Sequence, residues 1–472
     1  MIVCLLIEGS YPYVVGGVSG WVNSIIKAMP NVEFKILSIM PSETGKLEIK
    51  YKLPDNVIEL KTIYLDGYID NQNGDYVNQV RLSKKEEKEL SKLLHFDLDI
   101  DLSKVLEIMD NKKSVRKVEN FTRTKFFYNI LKEKYFKNYS DLNFNKYVWT
   151  SKGMYNPFLF VLDSDIPKAD IYHSVSAGYA GLIGAVAKVR FDKPFILSEH
   201  GIYTRERQEE IVKANWIKKV FKMIWIDFFF YVSNIGYKYA DKITSLFHDA
   251  RKFQIVYGAE EEKCIVISNG VNVESFDIQK KDHKSFNIGF ITRVVPIKDV
   301  LTAIRAFYLV NKKMDNVNFY IIGPTDEDEK YYEQCLKLTE TLGLNNVVHF
   351  TGTVNIKDYL PETDVVILSS LSEGQPLVLL EAMSAGIPCV TTDVGSCKEV
   401  LNADASDLDK CGIIYEPTNY EQLASKLIYL YENIDLREKM GANGKERANS
   451  LYNYKDMVNK YFKLYEDVIK KY

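Results

Sequence analysis

Six cysteines in 472 residues (Cys4, Cys264, Cys335, Cys389, Cys397 and Cys411) form no C-x-x-C pair and share no ligand spacing with a histidine. That scatter excludes a disulfide framework and gives no metal signal. It fits thiols used as small apolar residues in a reducing compartment. Charge of one sign is also lacking: 61 Lys and Arg face 64 Asp and Glu, a net charge of -3. A general nucleic-acid binder is therefore excluded, though a local basic patch is not. Nor is there a long apolar run. The most hydrophobic stretch, WIKKVFKMIWIDFFFYV over 216–232, is broken by Lys218, Lys219, Lys222 and Asp227, too short and too charged to span a bilayer. The opening MIVCLLIEG lacks a basic lead and a small-residue cleavage site, so it is expected to be a buried strand rather than a signal peptide. The expected location is cytoplasmic.

What is present is a regular alternation of short apolar runs with helical patterns, the mark of parallel α/β sheets. The chain is too long for one ordinary core, so two large domains are expected. Candidate strands in the first half are 2–7, 33–39, 57–64, 170–174, 195–198, 242–246 and 264–267. In the second half they are 287–291, 318–322, 347–350, 365–368, 389–392 and 412–415. The break falls after SNGVN, giving domains 1–272 and 273–418, then amphipathic helices over 419–472, the last expected to pack back on the first domain. Within the first domain, about 67–153 turns charged, aromatic and helical, as an insertion would. Two doubly wound domains so joined are expected to form a cleft, with ligands at the carboxyl ends of the strands.

SEGQPLVLLEAM, over 372–383, places Glu373 in a loop and Glu381 more than a turn inside the helix that follows. A glycosidase needs two carboxyls facing each other, roughly 5–9 Å apart, and this spacing suggests something else. Pro376 suits the first helical turn, and Gly386 suits the end. Between the glutamates, the amides of Leu377 and Val378 suit a phosphate. Sugar, diphosphate and ribose are a ligand with that order of parts. GFITRVVPIKD, over 289–299, adds Arg293 at a strand end and Lys298 before the next helix, two cations able to neutralise a leaving diphosphate. In EGSYPYVVGGVSGWV, Gly16 and Gly17 permit close backbone approach before a helix expected near Ser19; this is not the G-x-G-x-x-G pattern. SEHGIYTRER sets His200 at another strand end, beside an Arg205, Glu206, Arg207 cluster that reads equally as salt-bridged surface.

Taken together, SEGQPLVLLEAMSAGIPCVTTDVGS resembles the E-x7-E signature of glycosyltransferase family 4, retaining enzymes of the GT-B fold with two Rossmann-like domains. YPYVVGGVSGWV, DIYHSVSAGYAGLIGAVA, SEHGIYTRERQEEI and WIDFFFYVSNIGYKYADKITSLF look like its PelF branch, which builds an exopolysaccharide from UDP-sugars. The resemblance covers nearly the whole chain and is least specific in the insertion. It implies that Glu373 contacts hydroxyls of the donor hexose and Glu381 those of the ribose. Arg293 and Lys298 would hold the diphosphate, aided by Gly17 and the amides of Leu377 and Val378, with Gly16 and Gln375 also binding the donor and His200 near the reacting centre. Many family members carry Gly after the motif lysine, where this chain has Asp299.

No cofactor is expected, the UDP-sugar being a substrate. The D-x-D strings at 97–99, 99–101, 163–165, 326–328 and 407–409 are read as chance in an acidic chain rather than as a metal site. The implied activity is transfer of a hexose, UDP-glucose favoured, to a polysaccharide acceptor. The rivals are a UDP-sugar epimerase of the same architecture and a nucleotide-binding scaffold of a polysaccharide synthase. Finally, 112–137 holds nine Lys or Arg against two Glu, interleaved with aromatics. It reads as a solvated helix with a core face, or as a docking surface for an anionic membrane or a membrane-bound synthase.

Overall fold

A computed structural model describes the chain except residues 44–46, 69–79, 215–216 and 407, and except the side chains of 113 and 114. Trp216 and Asp407 thus lie outside the described residues. The chain divides into two compact units, Met1–Val266 with Tyr461–Tyr472, and Ile267–Lys460. The division falls ahead of the expected boundary after Asn272.

The first unit is built on seven strands: β1 (Ile2–Glu8), β2 (Glu33–Met40), β3 (Val57–Tyr64), β4 (Ile171–Ser174), β5 (Phe195–Glu199), β6 (Lys242–Ser245) and β7 (Cys264–Val266). They pair in the order β3-β2-β1-β4-β5-β6-β7, every ladder parallel. Parallel strands covered on both faces are continuously apolar, and β1 is buried from Val3 to Ile7 for that reason. The order reverses between β1 and β4, which opens a crevice at their carboxyl ends, where the segments after Glu8 and Ser174 begin.

The second unit carries six parallel strands: β8 (Phe286–Ile291), β9 (Val317–Ile322), β10 (Val348–Gly352), β11 (Val365–Leu368), β12 (Cys389–Thr392) and β13 (Gly412–Tyr415). Their order is β10-β9-β8-β11-β12-β13, so the reversal lies between β8 and β11. Each unit is thus a doubly wound, Rossmann-like α/β fold, and every expected strand is found within a residue or two.

Between β3 and β4 the described residues are helical, including Lys84–His95, Leu102–Asn111, Lys125–Asn138 and Phe144–Leu162. The expected end of this insertion at Gly153 is wrong, because the last helix runs straight through it. A glycine inside a helix costs only about 1 kcal/mol. Burial of Met154, Tyr155, Phe158 and Leu159 just beyond it outweighs that cost. The insertion is not an appendage either. Phe121, Phe127, Tyr155 and Phe158 join one apolar cluster with Phe228 and Tyr231 beside the sheet.

The terminal helix, Tyr454–Ile469, contributes Tyr461 and Tyr465 to the first unit. His173 of β4 shares a hydrogen bond with the Tyr465 hydroxyl through Nδ1 and with Ser198 Oγ through Nε2, both at 2.7 Å. Thr244 donates to the same Ser198 oxygen and lies 3.2 Å from the Tyr461 hydroxyl. Burial, reinforced by His200, holds the His173 pKa down to about 3, so this ring is a neutral connector. All six cysteines are free and buried. Among the described residues, no helix is long and apolar enough to cross a membrane, and no three His, Cys, Asp or Glu cluster as metal ligands.

Candidate active site

The segments that follow β8 and β11 flank the reversal of the second sheet, and they carry Arg293, Lys298, Glu373 and Gln375. Several bonds stitch them together. Ser369 Oγ donates to the carbonyls of Lys298 and Asp299 at 2.9 and 3.0 Å, and the Leu371 amide donates to Ile297 at 2.8 Å. The Lys298 ammonium then meets Glu373 Oε1 at 2.5 Å, with the two side chains only 20% and 11% exposed. Ser370 Oγ donates to the same carboxylate oxygen. One cation and one carboxylate are therefore held as a unit.

Asp299, the departure from the resembled motif, sits at φ 46°, ψ 51°. That is the left-handed region glycine favours, and a short polar residue such as Asp tolerates it. Its side chain also accepts from the Thr302 amide at 3.4 Å, capping the helix Val300–Asn311. Asp299 thus holds a left-handed turn directly after Lys298, which keeps its pairing with Glu373.

The helix Leu377–Ser384 starts one position later than expected: Pro376 is its N-cap, and no side chain caps it. The amides of Leu377 and Val378 are left to other acceptors, with the positive end of the helix dipole behind them. Gly386, at φ 71°, closes the other end, donating to Met383 while Ile387 donates to Ala382. Gln375 Oε1 accepts from the Asn269 amide at 2.6 Å, so half of this side chain is committed to pinning the loop. Its Nε2 is buried without a partner among the described residues. Glu381 is largely buried, which raises its pKa against the opposing charge of Lys357. Arg293 is not with Lys298 and Glu373. It forks onto Glu327, at 2.6 and 2.8 Å, both side chains about half exposed. An exposed pair of this kind is worth at most about 1 kcal/mol, so a diphosphate can take the guanidinium from it.

Sequence reasoning missed Glu327, Ser369, Ser370, Asn269 and Gly395. The last leaves a signal, a glycine just past a strand. At φ 56°, a Cβ on Gly395 would meet the carbonyl oxygens of Glu373 and Gly374 at 2.2 and 2.5 Å. The Ser396 amide donates to Gly374 at 2.9 Å, so this close approach clamps the Glu373 loop.

Gly16, Gly17 and His200 belong to the first unit. The helix there is Gly17–Ala28, starting two residues before the expected Ser19 because Gly16 already serves as its N-cap and accepts from the Gly20 amide. Both glycines are exposed, and a Cβ on either would meet nothing within 4 Å among the described residues. What they offer is bare backbone for a ligand to approach. His200, after β5, meets the Trp21 ring edge-on with centroids 4.5 Å apart. Burial holds its pKa down to about 4, so it is neutral at physiological pH. His200 Nε2 and the Trp21 Nε1 beside it are buried with no hydrogen-bond partner among the described residues, as is Ser19 Oγ in the same helix as Trp21.

Its neighbour Glu199 went unnoticed in the sequence. Burial raises its pKa to about 7 although Tyr237, Gln254 and the Tyr203 amide all donate to it. Arg205 and Arg207 are salt-bridged, to Glu209 and Glu210. The basic stretch 112–137 is also partly spoken for. Lys112 pairs with Glu86, Arg116 with Asp163 and Arg123 with Glu119. Lys134 is buried over the Phe96 ring, which lowers its pKa to about 8.

Comparison with known proteins adds the following. Residues 1–262 match the family model described as a domain of unknown function (DUF3492), and residues 272–447 match glycosyl transferases group 1. The MMP alpha-(1->4)-mannosyltransferase of Mycolicibacterium hassiacum is 23% identical over 309 residues, 64% of this chain and 71% of that one. The capsular polysaccharide biosynthesis glycosyltransferase CapM of Staphylococcus aureus is 25% identical over 311 residues, 62% and 73% of the two chains. Among solved structures, sucrose-phosphate synthase from Thermosynechococcus elongatus aligns over 100% of both chains with a TM-score of 0.62 and 13% identity. Anabaena HepE in complex with UDP aligns over 99% of this chain and 100% of its own, with a TM-score of 0.64 and 15% identity. At such identities the likeness to these structures is one of fold.

Proposed function

The chain belongs to the DUF3492 family and, over its second half, to the group 1 glycosyl transferases; from that premise we propose a PelF-like, retaining, metal-independent GT-B enzyme that moves a hexose from a UDP-sugar to a polysaccharide acceptor. The observation that carries this reading is the Lys298–Glu373 pair beside an uncapped helix start, at the reversal point of the second sheet. The named UDP complex of HepE supports uridine as the base, and UDP-glucose is the favoured donor.

In this mechanism the bond from the sugar's anomeric carbon to the diphosphate breaks, and negative charge grows on the leaving oxygen. Lys298 and the Leu377 and Val378 amides are preorganised donors for that charge, usually the largest single source of rate enhancement in such sites, and Arg293 joins them on leaving Glu327. With two cations and a helix dipole at hand, the diphosphate needs no divalent ion. Glu373 orients the hexose through its hydroxyls, and Glu381 accepts from the ribose. Gly16 and Gly17 admit the donor's phosphates to bare backbone, and His200, as a neutral imidazole, hydrogen-bonds the sugar. The acceptor hydroxyl attacks the face the diphosphate leaves, and its proton passes to a leaving-group oxygen. Glu373, neutralised by Lys298, is then a clamp and not a nucleophile, which accounts for two glutamates at this spacing. A membrane-bound synthase at the inner face of the membrane is the partner this reading expects.

The test is incubation with labelled UDP-glucose, UDP-galactose and UDP-N-acetylglucosamine, with and without oligosaccharide acceptors. Label entering acceptor together with UDP release supports the reading. Interconversion of UDP-sugars without acceptor would instead identify an epimerase, and binding without turnover a scaffold.

A further inference from the structure

The face of the first unit formed by two helices of the insertion and the segment 218–223 between β5 and β6 is exposed, basic and apolar at once. In the helix Lys125–Asn138, the outward residues Lys125, Tyr128, Lys132 and Phe136 recur every three or four positions, which puts them on one stripe. Phe136 is 63% exposed. Tyr128 reaches Phe144 at 6.0 Å, which carries the stripe onto the start of the helix Phe144–Leu162. There Lys146 and Trp149 stand one turn apart, and the Trp149 indole is 74% exposed.

Lys146 in turn lies against Lys218, and its like charge lowers the Lys218 pKa. Past Lys218, Lys219, Val220 and Met223 are all exposed, Met223 at 58%. Among the described residues, Lys125, Lys132, Lys146, Lys218 and Lys219 have no acidic partner within ion-pair distance. Of the nearby acids, Glu119 is paired with Arg123, and Glu133 lies 3.9 Å from His95.

The geometry points to an anionic lipid surface as the occupant of this face, with Trp149, Phe136, Val220 and Met223 entering the headgroup boundary and the lysines resting on the acidic leaflet. Protein–protein interfaces are depleted in lysine, whereas lysine with exposed tryptophan and phenylalanine is the composition of an interfacial membrane surface. Two adjacent unpaired ammonium groups repel one another unless a polyanion lies over both. This refines the recruitment expected of the transferase and relocates it. The expected docking residues Lys112 and Arg116 are ion-paired, and the free lysines sit farther along the chain. It does not depend on the donor assignment, because lipid binding is read without substrate.

The experiment is co-sedimentation of the full chain with phosphatidylcholine vesicles, alone or with about a third phosphatidylglycerol. Each basic residue near an anionic leaflet is worth about a five-fold gain in partitioning, so Lys146→Ser with Lys218→Ser and Lys219→Ser should cost on the order of 100-fold. Trp149→Ser with Met223→Ser should also weaken binding, whereas Lys112→Ser with Arg116→Ser should barely change it. Raising the salt should release the parent protein and have little further effect on the triple lysine variant. Melting curves of each variant establish that the fold is kept. Equal recovery of parent and triple variant on anionic vesicles, or equal binding to neutral and anionic ones, overturns the proposal. So does binding to natural membranes that vanishes on protease treatment when pure lipid binds nothing, which would assign the face to a protein.

Discussion

Lys298→Ala is the perturbation that reads most deeply into the candidate site, because Lys298 touches Glu373 at 2.5 Å in a partly enclosed place. Two effects follow from its loss. First, the leaving diphosphate loses a preorganised cation, and removal of one such donor typically costs about 3 kcal/mol in the barrier, so turnover should fall roughly 100-fold or more. Second, the Glu373 carboxylate is left with only the Ser370 hydroxyl and repels the diphosphate, so UDP should bind more weakly. Glu373→Gln acts with the opposite sign on binding. It frees Lys298 from its partner, so UDP should bind as well or better, while turnover falls because the hexose is held less firmly. The double variant should regain part of the UDP affinity that Lys298→Ala loses. Calorimetric titration with UDP, initial rates of UDP release and melting curves on all three variants separate these effects. A folded Lys298→Ala protein whose turnover stays within about three-fold of the parent would refute the reasoning. So would a Glu373→Gln protein that loses UDP affinity as steeply as Lys298→Ala.

Three further outcomes are expected. Gly395→Ala should cut donor affinity and turnover at least ten-fold in a folded protein, because its Cβ must displace the carbonyls of Glu373 and Gly374; unchanged kinetics would mean that this clamp is not needed. Glu381→Ala should weaken UDP binding far more than it slows turnover at saturation, checked by the split between KM and kcat. Glu199→Gln tests a buried acid whose pKa rises from 4.5 to about 7. The unfolded chain ionises this group first, so its contribution is fully present below about pH 4.5 and lost as pH climbs through 7, roughly 3 kcal/mol in all. The variant should therefore gain melting temperature relative to the parent as pH rises from 4.5 to 8, and a constant difference across that range would count against it. His173 and His200 work the other way, losing stability as pH falls below about 6.5, but they are common to both proteins and cancel in the comparison.

The sheets were legible because parallel strands covered on both faces must be unbroken apolar runs, as in β1 or the VVIL of β11. The loops carrying Lys298 and Glu373 were legible for a related reason: short polar punctuation after such a run marks the carboxyl end of a strand. What stayed hidden depends on partners distant in sequence. Glu327 lies 34 positions from the Arg293 it holds, and Tyr465 lies 292 from His173. No local pattern announces either. The edge expected at about Gly153 was misplaced because tertiary burial carries the helix Phe144–Leu162 through it. In the stretch 112–137, charge was counted without its partners, and Glu86 and Asp163, which take up Lys112 and Arg116, lie outside it.

The central claim is that this chain grips a uridine diphosphate sugar with its own cations. Titration of the purified protein with UDP, GDP and ADP, each with and without EDTA, tests it most directly. The account predicts that UDP binds tightest and that chelator changes nothing. Tighter binding of GDP or ADP, or loss of UDP binding in EDTA, would contradict it.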